Sequence, residues 1–386
     1  MKVSIVGAGN AGCFTALYYS WYGRKKDLEV ELIHDPDIAP QEVGQATLLG
    51  APELLGTGFN YYDNHIHATP KTGILYEGFG KVNDKFIHAF PANTLAMHFC
   101  PCEVQKFALE SGRFNVVEGN VDPKDVDADY VFDCRGTPKD FTGYTKLQSP
   151  INAAILGKPK WDSKELWSRH VATPDGWAFV IPMDESSPSH NGAVGYLYNN
   201  EITKTEDAEK NFGQIFDVEV KGHKTFNNYM HMNPIDDRVI LQGNRLFFLE
   251  PMESTATETY LEWARRTFRV IIEGELTKED AVKGMKRYIK QIQNFILWHY
   301  QFGSKYDTPF WEHAKNIIFH DPLFDKFLDM ATALKLEQCE EVTYSDYNSG
   351  VTWKGDGYRE ANLAYSVWPL MSFKNWHEGM TLYKGE

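Results

Sequence analysis

The chain has 386 residues, 42% hydrophobic and 24% charged, enough for two or three units with a sizeable core. Its formal net charge is -14 and it has no long basic run, which sets aside sequence-independent binding to nucleic acid. No uninterrupted apolar stretch reaches the ~18 residues of a spanning helix. The apolar start runs directly into a glycine motif and not into a signal-peptide cleavage site, so a soluble cytoplasmic protein is expected.

Aromatic residues make up 14% of the chain, with 10 Trp and 20 Tyr, which suits either an aromatic-rich core or a pocket for flat rings. The five cysteines are Cys13, Cys100, Cys102, Cys134 and Cys339, an odd number. Only Cys100-Pro101-Cys102 forms a close pair, too little for a metal site, and reduced thiols are the default.

In chain order, Lys2 to Val6 is a short β-rich run. Gly7-Ala8-Gly9-Asn10-Ala11-Gly12 follows, and then a helical stretch from Cys13 to Tyr22. Strand, G-x-G-x-x-G, helix is the pattern of a dinucleotide-binding turn, because glycine permits both the tight turn and close backbone approach to a pyrophosphate. A second strand, Glu29 to His34, ends about twenty residues beyond the turn, where a ribose partner is expected. His34 and Asp35 stand there, and either one suits the ribose hydroxyls or a plain strand cap.

Ala128 to Cys134 reads as a third strand, with Gly136 in the loop at the sheet's carboxyl edge. Residues 150 to 237 alternate short strands and turns. Within them Gly176-Trp177-Ala178-Phe179-Val180-Ile181-Pro182 is a bulky apolar run. Arg238 to Leu249 reads as a strand returning to the nucleotide domain, which is then discontinuous. After Glu258 the chain becomes helical. Thr277-x-x-Asp280 predicts a capped start, and Val282, Met285, Ile289, Ile292 and Ile296 follow at core-facing helical spacing.

Four segments, in order, resemble the flavin-dependent halogenases of the tryptophan-halogenase type. They are the Gly7 to Gly12 turn; Val43-Gly44-Gln45-Ala46-Thr47, similar to a V-G-E-A-T flavin loop with Gln45 for the acid; Gly176 to Pro182, similar to W-x-W-x-I-P with Phe179 for the second Trp; and Phe248 to Thr255, similar to F-x-x-P-x-x-S-x-G with Ala256 at the Gly position. Asn294 to Trp311 also resembles the helix and loop that follow in the family. The chain is shorter than typical tryptophan halogenases and resembles most a compact viral member, whose location would be the host cytoplasm.

The resemblance implies an α/β (α+β) fold: a Rossmann-like FAD-binding domain of the flavin monooxygenase/halogenase type, a substrate-side region and a helical C-terminal part. It implies an FAD-binding part over 1–150 with an insertion at about 60–100, and a β-rich region over 151–237. A return to the FAD domain follows over 238–275, then a helical region over 276–386. It further implies FAD supplied as FADH2 by a separate reductase, since no second nicotinamide-binding turn is present. Dioxygen, a halide (chloride, bromide or iodide) and a small aromatic substrate complete the reaction, with no metal, and a homo-oligomer is compatible. Hydroxylation by a flavin monooxygenase, or FAD binding without catalysis, are the alternative readings.

By the same resemblance Lys71 receives hypohalous acid, either as an ammonium that hydrogen-bonds it or as an amine that becomes a haloamine. Partial burial would favour the amine. Glu253 is the catalytic carboxylate, supported by Ser254; its plain alternative is a carboxylate facing the dipole of the next helix. Backbone N–H groups at Thr255 and Ala256 hold halide. Trp177 and Phe179 wall the flavin from the substrate, and His88 and Phe90 clamp the substrate ring. Trp353, Trp368 and Trp376 are further pocket candidates.

Overall fold

In the computed structural model, residues 1–40, 43–47, 51–55, 64–90, 96–190, 192–333 and 364–382 are described. The fold is mixed α/β, built on two large sheets with helices packed around them.

The first sheet has six strands in the order Ile235–Asp236, Val239–Leu241, Tyr130–Asp133, Lys2–Val6, Glu29–His34 and Asn115–Glu118. All neighbours are parallel except the first pair. Its centre is buried on both faces, so Val3, Ile5, Leu32, Val131 and Phe132 are apolar without strict alternation. The glycine turn leaves the carboxyl end of Lys2–Val6 and opens the helix Asn10–Gly23. Gly7 takes φ +106 and lies so close to the Cys134 carbonyl that a Cβ would sit 2.8 Å from its oxygen, so no larger residue fits.

The expected strand Arg238 to Leu249 is broken into Val239–Leu241, a short turn at Gly243–Arg245, and Phe247–Phe248. Gly243 (φ +64) marks the break, where a Cβ would come within 2.4 Å of the Ala11 Cβ. The chain thus turns at Gly243, packed against the glycine-turn helix at Ala11.

The second sheet has seven strands in the order Val218–Thr225, Ala153–Pro159, Ala193–Tyr198, Gly176–Ile181, Ser168–Thr173, Gly73–Glu77 and Lys85–Ala89. The bulky run is its central strand. It must begin with glycine, since a Cβ on Gly176 would stand 2.1 Å from the Leu197 carbonyl oxygen. A small separate sheet has Ala96–Phe99 at its centre, with Gln45–Ala46 on one side and Thr69–Lys71 on the other. The expected cap appears at the helix Lys278–Gln301, where Thr277 Oγ1 accepts from the Asp280 N–H at 3.0 Å. Its buried face carries Met285, Ile289, Ile292 and Ile296.

Candidate active site

At the glycine turn, a Cβ on Gly9 would meet nothing within 4 Å, so this side of the turn is open. Asn10 begins the following helix, and its Oδ1 is buried without a hydrogen-bond partner among the described residues. Open space, an unsatisfied polar atom and a helix N-terminus together fit the pyrophosphate of a dinucleotide such as FAD. Ala11 and Gly12 complete the turn, and Gly12 packs against the Gly7 carbonyl. Asn10 Nδ2 donates to Gln45 Oε1 at 2.8 Å, tying the turn to the Val43–Thr47 loop. In that loop Gly44 lies against Met183, and Ala46, like Phe179, packs against the cluster of Cys100, Ile181 and Met183.

His34 and Asp35 both stand at the carboxyl end of Glu29–His34 and are half-buried. Asp35 already accepts from the Asp37 N–H and Asn120 Nδ2, which leaves His34 the less engaged of the two.

Lys71 is not a solvated loop lysine. It ends the strand Thr69–Lys71 and is only 1% exposed. Its ammonium donates to Ser254 Oγ at 3.0 Å and to the Thr47 carbonyl at 3.3 Å, and stands 5.2 Å from the centre of the Phe90 ring. Burial pushes its pKa down to about 7, against the opposing pull of Glu253. One side chain therefore bridges the Val43–Thr47 loop and the Phe248–Thr255 motif. The same electrostatics keep His98 and His170 neutral: burial, reinforced by Lys71, lowers both, His170 to about 3.

Glu253 is fully buried; three side chains donate to it and two histidine ring nitrogens lie within hydrogen-bond distance, among the described residues. Tyr76 donates its hydroxyl, Trp368 its indole N–H at 2.9 Å and Trp376 its own at 3.2 Å, while His299 Nε2 lies at 3.0 Å and His88 Nδ1 at 3.3 Å. Burial alone would raise this carboxyl, but His88 and His299 outweigh it and hold it well below the usual range. Its hydrogen-bond partners among the described residues are all side chains, and none is a backbone N–H of the next helix.

Ser254 does not support Glu253; its hydroxyl is turned to Lys71. The cause is local, since Glu253 (φ 71) and Ser254 (φ 56) are consecutive left-handed residues that send their side chains to different partners. Thr255 is buried at the start of the helix Ala256–Ile271, and Ala256 is exposed.

His88 and Phe90 meet edge to face, 5.9 Å apart at 89°, and so do not form a parallel clamp. His88 is buried between Glu253 and Ser372 Oγ (2.9 Å), leaving Phe90 as the ring beside Lys71.

Trp177 is fully buried, and its indole N–H donates to Glu250 at 3.2 Å. Glu250 also accepts from Tyr300 and from Ser149 (2.5 Å). Burial raises its pKa to about 7. Phe179 is half-buried and lies over Gly195.

Tyr76, Glu250 and His299 were not singled out from the sequence. The partners of Glu253 stand up to 177 residues away along the chain, and no local pattern marks them. Trp368 and Trp376 belong to the Glu253 cluster; Trp353 lies outside the described residues.

The tryptophan halogenase family model matches residues 2–113 and 103–360, nearly the whole chain. The chain belongs to the tryptophan halogenase family. It is 24% identical over 227 residues to the tryptophan 7-halogenase KtzQ of Kutzneria sp. (strain 744), a match covering 52% of this chain and 40% of the relative. It is 21% identical over 221 residues to the tryptophan 6-halogenase ThaL of Streptomyces albogriseolus, covering 53% and 39%. The match thus spans less than half the length of these relatives.

Solved structures show the same fold over most of both chains. MibH, a lanthipeptide tryptophan 5-halogenase, gives a TM-score of 0.75 at 19% identity, covering 99% of this chain and 86% of its own. The tryptophan 6-halogenase SttH of Streptomyces toxytricini gives 0.72 at 18%, covering 98% and 90%. Among the described residues no helix is long and apolar enough to cross a membrane.

Proposed function

We propose that this chain is a flavin-dependent halogenase acting on an electron-rich aromatic ring of the indole or phenol type. Reduced FAD, delivered by a separate reductase, supplies with dioxygen the oxidising equivalents that convert halide to hypohalous acid. Gly7, Gly9, Asn10, Ala11 and Gly12 hold the pyrophosphate, and His34 or Asp35 the ribose. Val43, Gly44, Gln45, Ala46 and Thr47 flank the flavin ring. Backbone N–H groups at Thr255 and Ala256 receive the halide at the start of their helix. Trp177, fixed by Glu250, separates flavin from substrate.

Lys71 is the relay, and its environment is the observation that carries this reading. A buried lysine with a pKa near 7 is an amine in a large fraction of molecules at neutral pH. The amine can take the halogen as a haloamine; the ammonium can hydrogen-bond hypohalous acid. Ser254 Oγ and the Thr47 carbonyl fix the nitrogen in place, and Phe90 offers an aromatic surface beside it. Glu253, with its donors already in place, acts through its charge, stabilising the positive charge that develops on the ring. The names of the relatives, halogenases of tryptophan at three ring positions, support an aromatic of this class.

The test is incubation with reduced FAD, dioxygen, each of chloride, bromide and iodide, and a panel of indoles and phenols, read by mass spectrometry. A product carrying the halogen mass is the expected result. A product heavier by one oxygen, or FAD binding with no product, would replace this reading by one of its two alternatives.

A further inference from the structure

The Cys100-Pro101-Cys102 pair takes no part in the chemistry above, yet it occupies a sensitive position. The two sulfurs are 2.9 Å apart, both thiols are reduced, and Cys100 is buried while Cys102 is half-exposed. Ser189 donates its hydroxyl to the Cys100 sulfur at 3.1 Å. Cys100 immediately follows Ala96–Phe99, the strand that holds the flavin loop on one side and the Lys71 strand on the other. Cys100 and Cys102 share one apolar cluster with Ala46 of that loop and with Phe179 and Ile181 of the bulky run.

We propose that Cys100 and Cys102 form an oxidant-sensing dithiol that closes to a disulfide when oxidant escapes from the neighbouring site. Cys102, the accessible thiol, reacts first. With hypohalous acid its sulfur takes the halogen, and its proton leaves with the hydroxyl as water. The Cys100 sulfur then attacks, the sulfur–sulfur bond forms, and halide and a proton depart. The balance is two thiols and one hypohalous acid giving one disulfide, one halide, one proton and one water. Hydrogen peroxide does the same through a sulfenic acid, giving two waters.

Closure draws the sulfurs from 2.9 Å to a bond of about 2.05 Å, a short travel at the end of a strand. Cys13 and Cys134 do not compete. Both are buried, and burial keeps them as thiols, Cys13 pushed up to about 12 and Cys134 well above the usual range. The predicted consequence is a shift of the Ala96–Phe99 strand that loosens both the flavin loop and Lys71.

The source of oxidant rests on the proposed halogenase activity, but the dithiol is tested without it. The flavin-free chain is treated with stoichiometric hydrogen peroxide, and separately with hypochlorous acid, then mapped by mass spectrometry after alkylation. The expected result is a loss of two hydrogens on the peptide bearing Cys100 and Cys102, reversed by dithiothreitol, and absent in both Cys100→Ser and Cys102→Ser. FAD affinity, read by flavin fluorescence, should fall in the oxidised chain and recover on reduction. Stepwise gain of oxygen at separate cysteines, or thiols that stay reduced at that stoichiometry, would overturn the proposal. The wild-type map decides this even if a serine variant fails to fold, and Cys339 is read on its own peptide. A disulfide formed by added oxidant in a chain that does not halogenate would sustain the dithiol and remove only its internal source of oxidant.

Discussion

At Lys71 two effects compete, and their order decides its protonation. Burial removes the ammonium from water and lowers its pKa; the Glu253 charge raises it, and burial wins, leaving about 7. The protonation of this one group then switches near neutral pH: ammonium dominates below about 7 and amine above it. Replacing Glu253 by Gln removes the opposing pull and must lower the pKa further. The halogenation inflection of Glu253→Gln should therefore move to lower pH, with a reduced maximal rate, measured as a pH–rate profile. An inflection that moves to higher pH would contradict the assigned electrostatics.

The strain at Glu253 and Ser254 belongs to the same argument. Two consecutive left-handed residues that are not glycine cost on the order of 1–3 kcal/mol each. The Tyr76, Trp368 and Trp376 donors on the Glu253 carboxylate offset that cost, and so keep Ser254 turned toward Lys71.

At the scale of elements, short-range patterns were legible and long-range ones were not. The glycine turn, the central strand Gly176–Ile181 and the helix from Lys278 all carry their signals within a few residues, because turn sterics, β-rich runs and capping are local. The Thr277 cap gives a direct check. Thr277→Ala should lower stability by ~1 kcal/mol, the usual worth of such a cap, read by thermal or denaturant unfolding. A change indistinguishable from zero would mean the cap bond does not hold in solution.

The strand expected over Arg238 to Leu249 failed because its apolar run says nothing of Ala11, more than two hundred residues earlier, against which Gly243 must turn. Likewise the pairing of Ser254 with Lys71 spans 183 residues, and the sequence favoured the adjacent Glu253 instead.

For the molecule as a whole, the motifs lie far apart in the chain, and the fold brings candidate residues from them into contact. The small sheet Gln45–Ala46, Ala96–Phe99, Thr69–Lys71 ties the Val43–Thr47 loop to the strand that ends at Lys71. The Glu253 cluster ties the second motif to the strand at Tyr76, the long helix at His299 and the C-terminal segment at Trp368 and Trp376. Trp368 and Trp376, named from the sequence only as pocket candidates, bring the C-terminal segment onto Glu253.

The most direct test of the whole arrangement is Lys71→Ala, assayed beside the wild type for FAD binding and for halogenated product. The expected result is unchanged FAD binding with halogenation lost; halogenation at the wild-type rate would contradict the central role of Lys71.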